Sequence, residues 1–139
     1  MRIFLDANIL FSAAKSAGAV RQLLEMLVSH KHVLCADAYV VTEARRNLSA
    51  KASAESLQVL DKLLAQIEVS ATGIVGFDKN MASWLPEKDR PVLVAAINLK
   101  CDALVTGDVK HFGVGFGKSF SGVVIYSPRL LAETSRIWN

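Results

Sequence analysis

RIFLDANIL, residues 2–10, and ALVTGD, residues 103–108, decide how the rest of the chain is read. Each opens with a short apolar run, RIFL or ALVT, and each meets an acid at once, Asp6 or Asp108. Runs this short and this apolar read as buried strands. Working outward, Val20, Leu23, Leu24, Leu27 and Val28 recur at helical spacing from about Gly18. HVLCA, His32 to Ala36, reads as another strand. Tyr39 to Leu48 and Ser53 to Ile67 read as helices, the second with a stripe of Leu57, Leu60, Leu63 and Leu64. Ile67 to Val75 is compatible with a short strand and a turn at Gly73, and Pro86 ends what precedes it. A helix over Arg90 to Lys100 would bury Val92, Leu93, Ala96 and Ile97. A glycine-rich loop, Gly113 to Gly122, leads into the strand Val123 to Tyr126. Pro128 then opens a last helix at a first-turn position, where a missing N–H costs little. Short strands alternating with helices predict a three-layer α/β/α sandwich with a mainly parallel central sheet, as one domain over residues 1–139. Such sheets bind ligands at the carboxyl ends of their strands.

Composition fits an ordinary globular chain of 139 residues, with 52% hydrophobic and 21% charged residues. Charge-free stretches fall well short of the roughly 20 apolar residues that a membrane span needs. MRIFLDANIL does not read as a leader peptide, because Asp6 and Asn8 interrupt the apolar run. Cys35 and Cys101, without CxxC or Cys/His spacing, read as reduced core thiols of a cytoplasmic protein. Sixteen basic residues face thirteen acids. If four acids share one cleft, the remaining surface is strongly basic, which suits a polyanionic substrate held through metal ions.

In a parallel sheet, Asp6 and Asp108 lie on the same edge, although either could merely be a turn or helix-cap residue. Glu43, in VVTEARRNL, lies on the helix side that carries Val40 and Asn47; it could instead tilt out to Arg45 or Arg46. Asp89 starts the next buried helix on its inward side, where Pro91 in the first turn also suits it to capping. Four clustered carboxylates repel unless cations join them. Mg²⁺ or Mn²⁺, as one or two ions, prefer such oxygen ligands, and phosphodiester hydrolysis is the reaction that fits.

In these residues the chain resembles the PIN-domain family, which includes the VapC-type toxin ribonucleases. The matching pieces are IFLDANIL, VVTEARRNL, KDRPVLVAAINLKCDALVTGDVKHFG and GVVIYSP. The resemblance implies an endoribonuclease with Asp6, Glu43, Asp89 and Asp108 as the metal-binding acids. It makes Asn8 and Thr106 the polar residues that hold the site in shape. It also implies an RNA substrate, a cognate antitoxin and homodimers. Many members carry the third acid directly before the residues matching Pro91–Val92. This chain has Arg90 there, with Asp89 one position early. That departure is the feature favouring the alternative, a PIN-like module that binds RNA or a partner without cutting.

Gly113, Gly115, Gly117, Lys118 and Ser119 superficially suggest a phosphate-binding P-loop. Phe112 stands where its first glycine should be, and the segment enters a strand rather than a helix. A flexible loop beside the cleft is the expectation, with Lys110, His111 and Lys118 as candidate phosphate contacts. Arg45 and Arg46 are further candidates for the RNA backbone, and Trp84 and Trp138 are expected in packing. A phospho-acceptor receiver domain would need an acidic pair after its first strand, whereas only Asp6 stands there.

Overall fold

The computed structural model describes residues 1–71 and 82–135. Arg2–Leu5 form β1, whose last three residues are fully buried. A strand so apolar throughout must be covered on both faces, as in a parallel sheet. Asp6 then caps α1, Ala7–Lys15, and Ala19–Ser29 follow as α2. β2, Val33–Asp37, runs into α3, Ala38–Lys51. α4 spans Ala54–Leu64 and β3 Glu68–Ser70. A 3-10 turn over Glu87–Asp89 leads into α5, Arg90–Asn98. β4, Ala103–Val105, precedes the short α6, Val109–Phe112. β5 is Ser119–Phe120, β6 Val123–Tyr126 and α7 Pro128–Ser135.

These strands form one six-stranded sheet in the order β3-β2-β1-β4-β6-β5, all parallel except β5 at the edge. The chain therefore shows the three-layer, mainly parallel α/β arrangement expected from its sequence. From β1 the order runs one way through β2 and β3 and the other way through β4 and β6. The reversal lies between β1 and β4, which pair with Leu5 opposite Val105. At such a switch point the segments leaving the strand ends part and a crevice opens. Asp6 and the Thr106–Asp108 segment leave the sheet at that place.

Three elements differ from the sequence reading. α1 was not expected. Asn8, Ser12 and Lys15 recur on its less buried side, but the helix follows Asp6 with no intervening turn and is only nine residues long, so it leaves a short signal. The helix packs against α2, α3 and α4, burying Ile9, Leu10, Ala13 and Ala14. The helix expected to reach Ile67 ends at Leu64, since Glu68 already begins β3 beside β2. The expected loop Gly113–Gly122 is in fact largely ordered. Phe112 is buried beneath it, Gly113–Gly115 make a 3-10 turn, and β5 pairs back on β6. Gly117 and Gly122 occupy the left-handed region, with φ of 79° and 87°, which permits this tight reversal. Trp84 packs edge-on to Phe112 and stacked on Phe120, with ring centroids 6.2 and 4.9 Å apart. The packing role expected for it is thereby met. The turn expected at Gly73, the residues up to Val75, and Trp138 lie outside the described residues.

Cys35 and Cys101 are free and buried. No helix among the described residues is long and apolar enough to cross a membrane.

Candidate active site

Asp6, 6% exposed at the end of β1, is the most buried of the four candidate acids. One oxygen accepts from the Ala7 N–H at 2.7 Å, capping α1. The other accepts from the Thr106 hydroxyl at 2.8 Å and from the Asn8 side-chain amide at 3.2 Å. Burial is the main reason its pKa rises to about 6; the charges of Glu43 and Asp89 push the same way, against the Thr106 and Ala7 hydrogen bonds.

Thr106, wholly buried, is the hub of the strand-end network. Its hydroxyl donates to Asp6 and accepts from the Asn8 amide at 3.2 Å and from the Asp108 N–H at 3.1 Å. The Asn8 carbonyl oxygen accepts from the Gly107 N–H at 2.7 Å. Sequence-distant segments after β1 and β4 are thus locked together by two small polar side chains. Gly107 suits this closure, since a Cβ there would lie 3.3 Å from Asn8 Oδ1.

Asp108 caps α6 through one oxygen, which accepts from the His111 N–H at 3.0 Å. Its other oxygen lies 3.0 Å from His111 Nδ1. The same nitrogen lies 2.9 Å from Asp89 Oδ2. Asp89 occupies the capping position of α5 but makes no capping hydrogen bond, so the structural role open to it from sequence is not used. Its pKa is raised, first by burial and also by Asp108, while His111 and Lys88 pull the other way. Arg90, standing where the third acid of many PIN domains would be, turns away. Its guanidinium donates to the carbonyls of Leu85 at 2.9 Å and Ser83 at 3.4 Å. It fixes the approach to the 3-10 turn that delivers Asp89 beside Asp108.

Glu43 lies on the exposed side of α3 and lines a cleft of about 430 Å³ with Tyr39, Thr42, Arg46 and Lys88. Its charge reaches both Asp6 and Tyr39. A second cleft, about 390 Å³, is lined by Asn8, Ser12, Gly107 and Asp108 among others. The structure therefore brings Asp6, Asp89 and Asp108 together with Asn8 and Thr106, and sets Glu43 within electrostatic range of Asp6.

The basic candidates separate. Arg46 shares the Glu43 cleft. Arg45, also a candidate for the RNA backbone, pairs with Asp61 on α4 at 2.7 Å. The helix turns Arg45 toward its neighbour and Arg46 toward the cleft. Lys110, exposed on α6, directly follows the Asp108 turn, whereas Lys118 stands exposed before edge strand β5, with β6 between β5 and β4. His111, a candidate phosphate contact, faces the two acids with Nδ1.

Two residues escaped the sequence reading. The Tyr39 hydroxyl donates to the Lys88 carbonyl at 2.8 Å, tying the Asp89 turn to α3. Burial, then the charges of Glu43, Asp89, Asp6 and Asp37, raise its pKa. Asp37, 4% exposed, ends β2 and caps α3 through the Val40 N–H. It is a third strand-end acid, and the alternation of apolar residues alone gives it no distinction from a turn residue.

A family model described as PIN domain matches residues 2–110. Solved structures with the same fold include VapBC2 from Rickettsia felis bound to a DNA fragment from its promoter. That likeness is 17% identical over 91% of this chain and 98% of that one, with a TM-score of 0.65. Mycobacterium tuberculosis VapC20, a sarcin–ricin loop cleaving toxin, gives 12% identity, coverage of 85% and 98%, and a TM-score of 0.57. VapBC-1 from nontypeable Haemophilus influenzae gives 15%, 93% and 99%, and 0.57. No curated protein matches by sequence. With more than three quarters of its residues inside that family model and the family's architecture in its sheet, the chain belongs to the PIN-domain family.

Proposed function

We propose that the chain is a metal-dependent endoribonuclease, the toxin of a toxin–antitoxin pair, cutting RNA at the site built on Asp6, Glu43, Asp89 and Asp108. The observation that carries this reading is the gathering of acids from separate segments at the sheet's switch point, where Asp6 already resists ionisation up to about pH 6. Buried carboxylates in mutual repulsion are a poor structural device and a good cation site. The residues also fit a cation, because Asp89, Asp108 and His111 each bring a ligand atom within 4.8 Å of the others.

Mg²⁺ or Mn²⁺, one ion or two, would be held by the four acids and would supply a water of lowered pKa and an electrophile for the phosphoryl oxygens. The chain's own part is positioning. Asn8 and Thr106 hold Asp6 and the Asp108 turn in register, and Tyr39 and Arg90 hold the Asp89 turn. Arg46, Lys110 and, further out, Lys118 are exposed cations for the RNA backbone. The neighbours named as VapBC pairs support an antitoxin partner here, and the VapC20 name supports an RNA substrate. A homodimer in the cytoplasm is part of the same proposal.

The test is cleavage of end-labelled structured RNA in Mn²⁺ or Mg²⁺. Internal cuts should appear with wild type, vanish in EDTA, and be absent in Asp6→Asn and Asp108→Asn variants with unchanged circular dichroism. RNA left intact by folded wild type in both metals would sink the enzymatic reading and leave a binding module.

A further inference from the structure

We infer that His111 is itself a ligand of the metal centre, through Nδ1, making the site a mixed nitrogen–oxygen one that selects Mn²⁺ over Mg²⁺. The inference rests on the metal-dependent reading above and adds to its four acids a residue of different chemistry.

The geometry around Nδ1 is that of a coordination edge. It lies 2.9 Å from Asp89 Oδ2 and 3.0 Å from Asp108 Oδ2, and the three ligand atoms all fall within 4.8 Å of one another. Two ligands at right angles, each about 2.1 Å from an ion, stand about 3.0 Å apart. A single ring proton could serve one carboxylate well. Here one ring nitrogen stands between two carboxylates that a single proton cannot both serve.

Local structure keeps them there. The His111 N–H holds one Asp108 oxygen, leaving the other turned to the ring on the same helical turn. Asp89 comes from the 3-10 turn anchored by Tyr39 and Arg90, and its carboxylate caps nothing. The imidazole is part-exposed, so Nε2 can carry the ring proton to water while Nδ1 offers its lone pair. Imidazole is a poor ligand for Mg²⁺ and a good one further along the transition series, where affinity rises from Mn²⁺ upward.

The full chain loaded with Mn²⁺ tests this by electron spin-echo envelope modulation, which detects nitrogen bound directly to the ion. The chain has only three histidines. His30 and His32 are occupied elsewhere, at the Met26 carbonyl and the N-terminal amine, and a His30→Gln/His32→Gln background removes them. We expect ¹⁴N modulation in that background and its loss in His111→Ala. Calorimetry should show Mn²⁺ affinity falling about tenfold or more in His111→Ala, with Mg²⁺ affinity changed less than about twofold. His111→Asp should restore Mn²⁺ binding without the nitrogen signal. Saturable Mn²⁺ binding that Asp6→Asn abolishes, but without ¹⁴N modulation in the parent, overturns the inference and leaves the metal-dependent reading intact. Absence of any saturable binding overturns both.

Discussion

Replacing Asp6 by Asn should stabilise the metal-free protein at neutral pH and destabilise it in acid. The Asp6 carboxyl has an ordinary pKa of 3.8 and a folded value of about 6. Its folded pKa is raised, so the folded chain binds more protons between those values and loses stability as pH climbs through them. At about 1.4 kcal/mol per pKa unit, the penalty reaches about 3 kcal/mol above pH 7 and fades below about pH 4. A neutral carboxamide would not carry it, but the amide nitrogen would meet Thr106 and Asn8, which both donate to Asp6 now. Mispairing those buried donors costs about 1–2 kcal/mol. The balance is a variant about 1–2 kcal/mol more stable than wild type at pH 7.5 in EDTA, a gain of roughly 5 °C in Tm. The gain should vanish near pH 5 and be a loss of about 1 kcal/mol near pH 4. Scanning calorimetry of both proteins across that range decides the matter. A Tm difference that does not move with pH, or a variant less stable at pH 7.5, would refute burial of a charge as the cause.

Thr106→Val removes a wholly buried hydroxyl that serves Asp6, Asn8 and the Asp108 N–H. It should cost about 2–3 kcal/mol in urea unfolding and lower RNA cleavage with it. Gly115→Ala would set a Cβ 2.8 Å from the Trp84 ring, so a loss of about 1–3 kcal/mol and a shifted tryptophan emission are expected. Tyr39→Phe deletes only the donation to the Lys88 carbonyl. Stability should fall by about 1 kcal/mol or less, while Mn²⁺ affinity, measured by calorimetry, should drop because the Asp89 turn loses its tether.

The sequence by itself determined the strands around the site, because burial on both faces leaves a signature that a short chain segment carries alone. RIFL and VVIY could be read as strands without knowing their neighbours, and Asp6 and Asp108 could be read as strand-end acids of one sheet edge. Helices with a polar face, such as α2 with Leu23, Leu24 and Leu27, were legible for the same reason. α1 was not, since its polar side is only Asn8, Ser12 and Lys15 on a nine-residue helix that begins directly after Asp6. What only tertiary structure decided was pairing across distance. Whether Asp89 capped its helix or faced Asp108 depended on where the Arg90 guanidinium found its carbonyls. Whether Arg45 or Arg46 faced the cleft depended on Asp61 in α4. His111 looked like a loop residue because Nδ1 meets Asp89 only when the turns before α5 and after β4 are brought together. Local patterning fixes which residues are buried, whereas a hydrogen-bonded or ligand-bearing site is a set of distances that exists only once the chain has closed on itself.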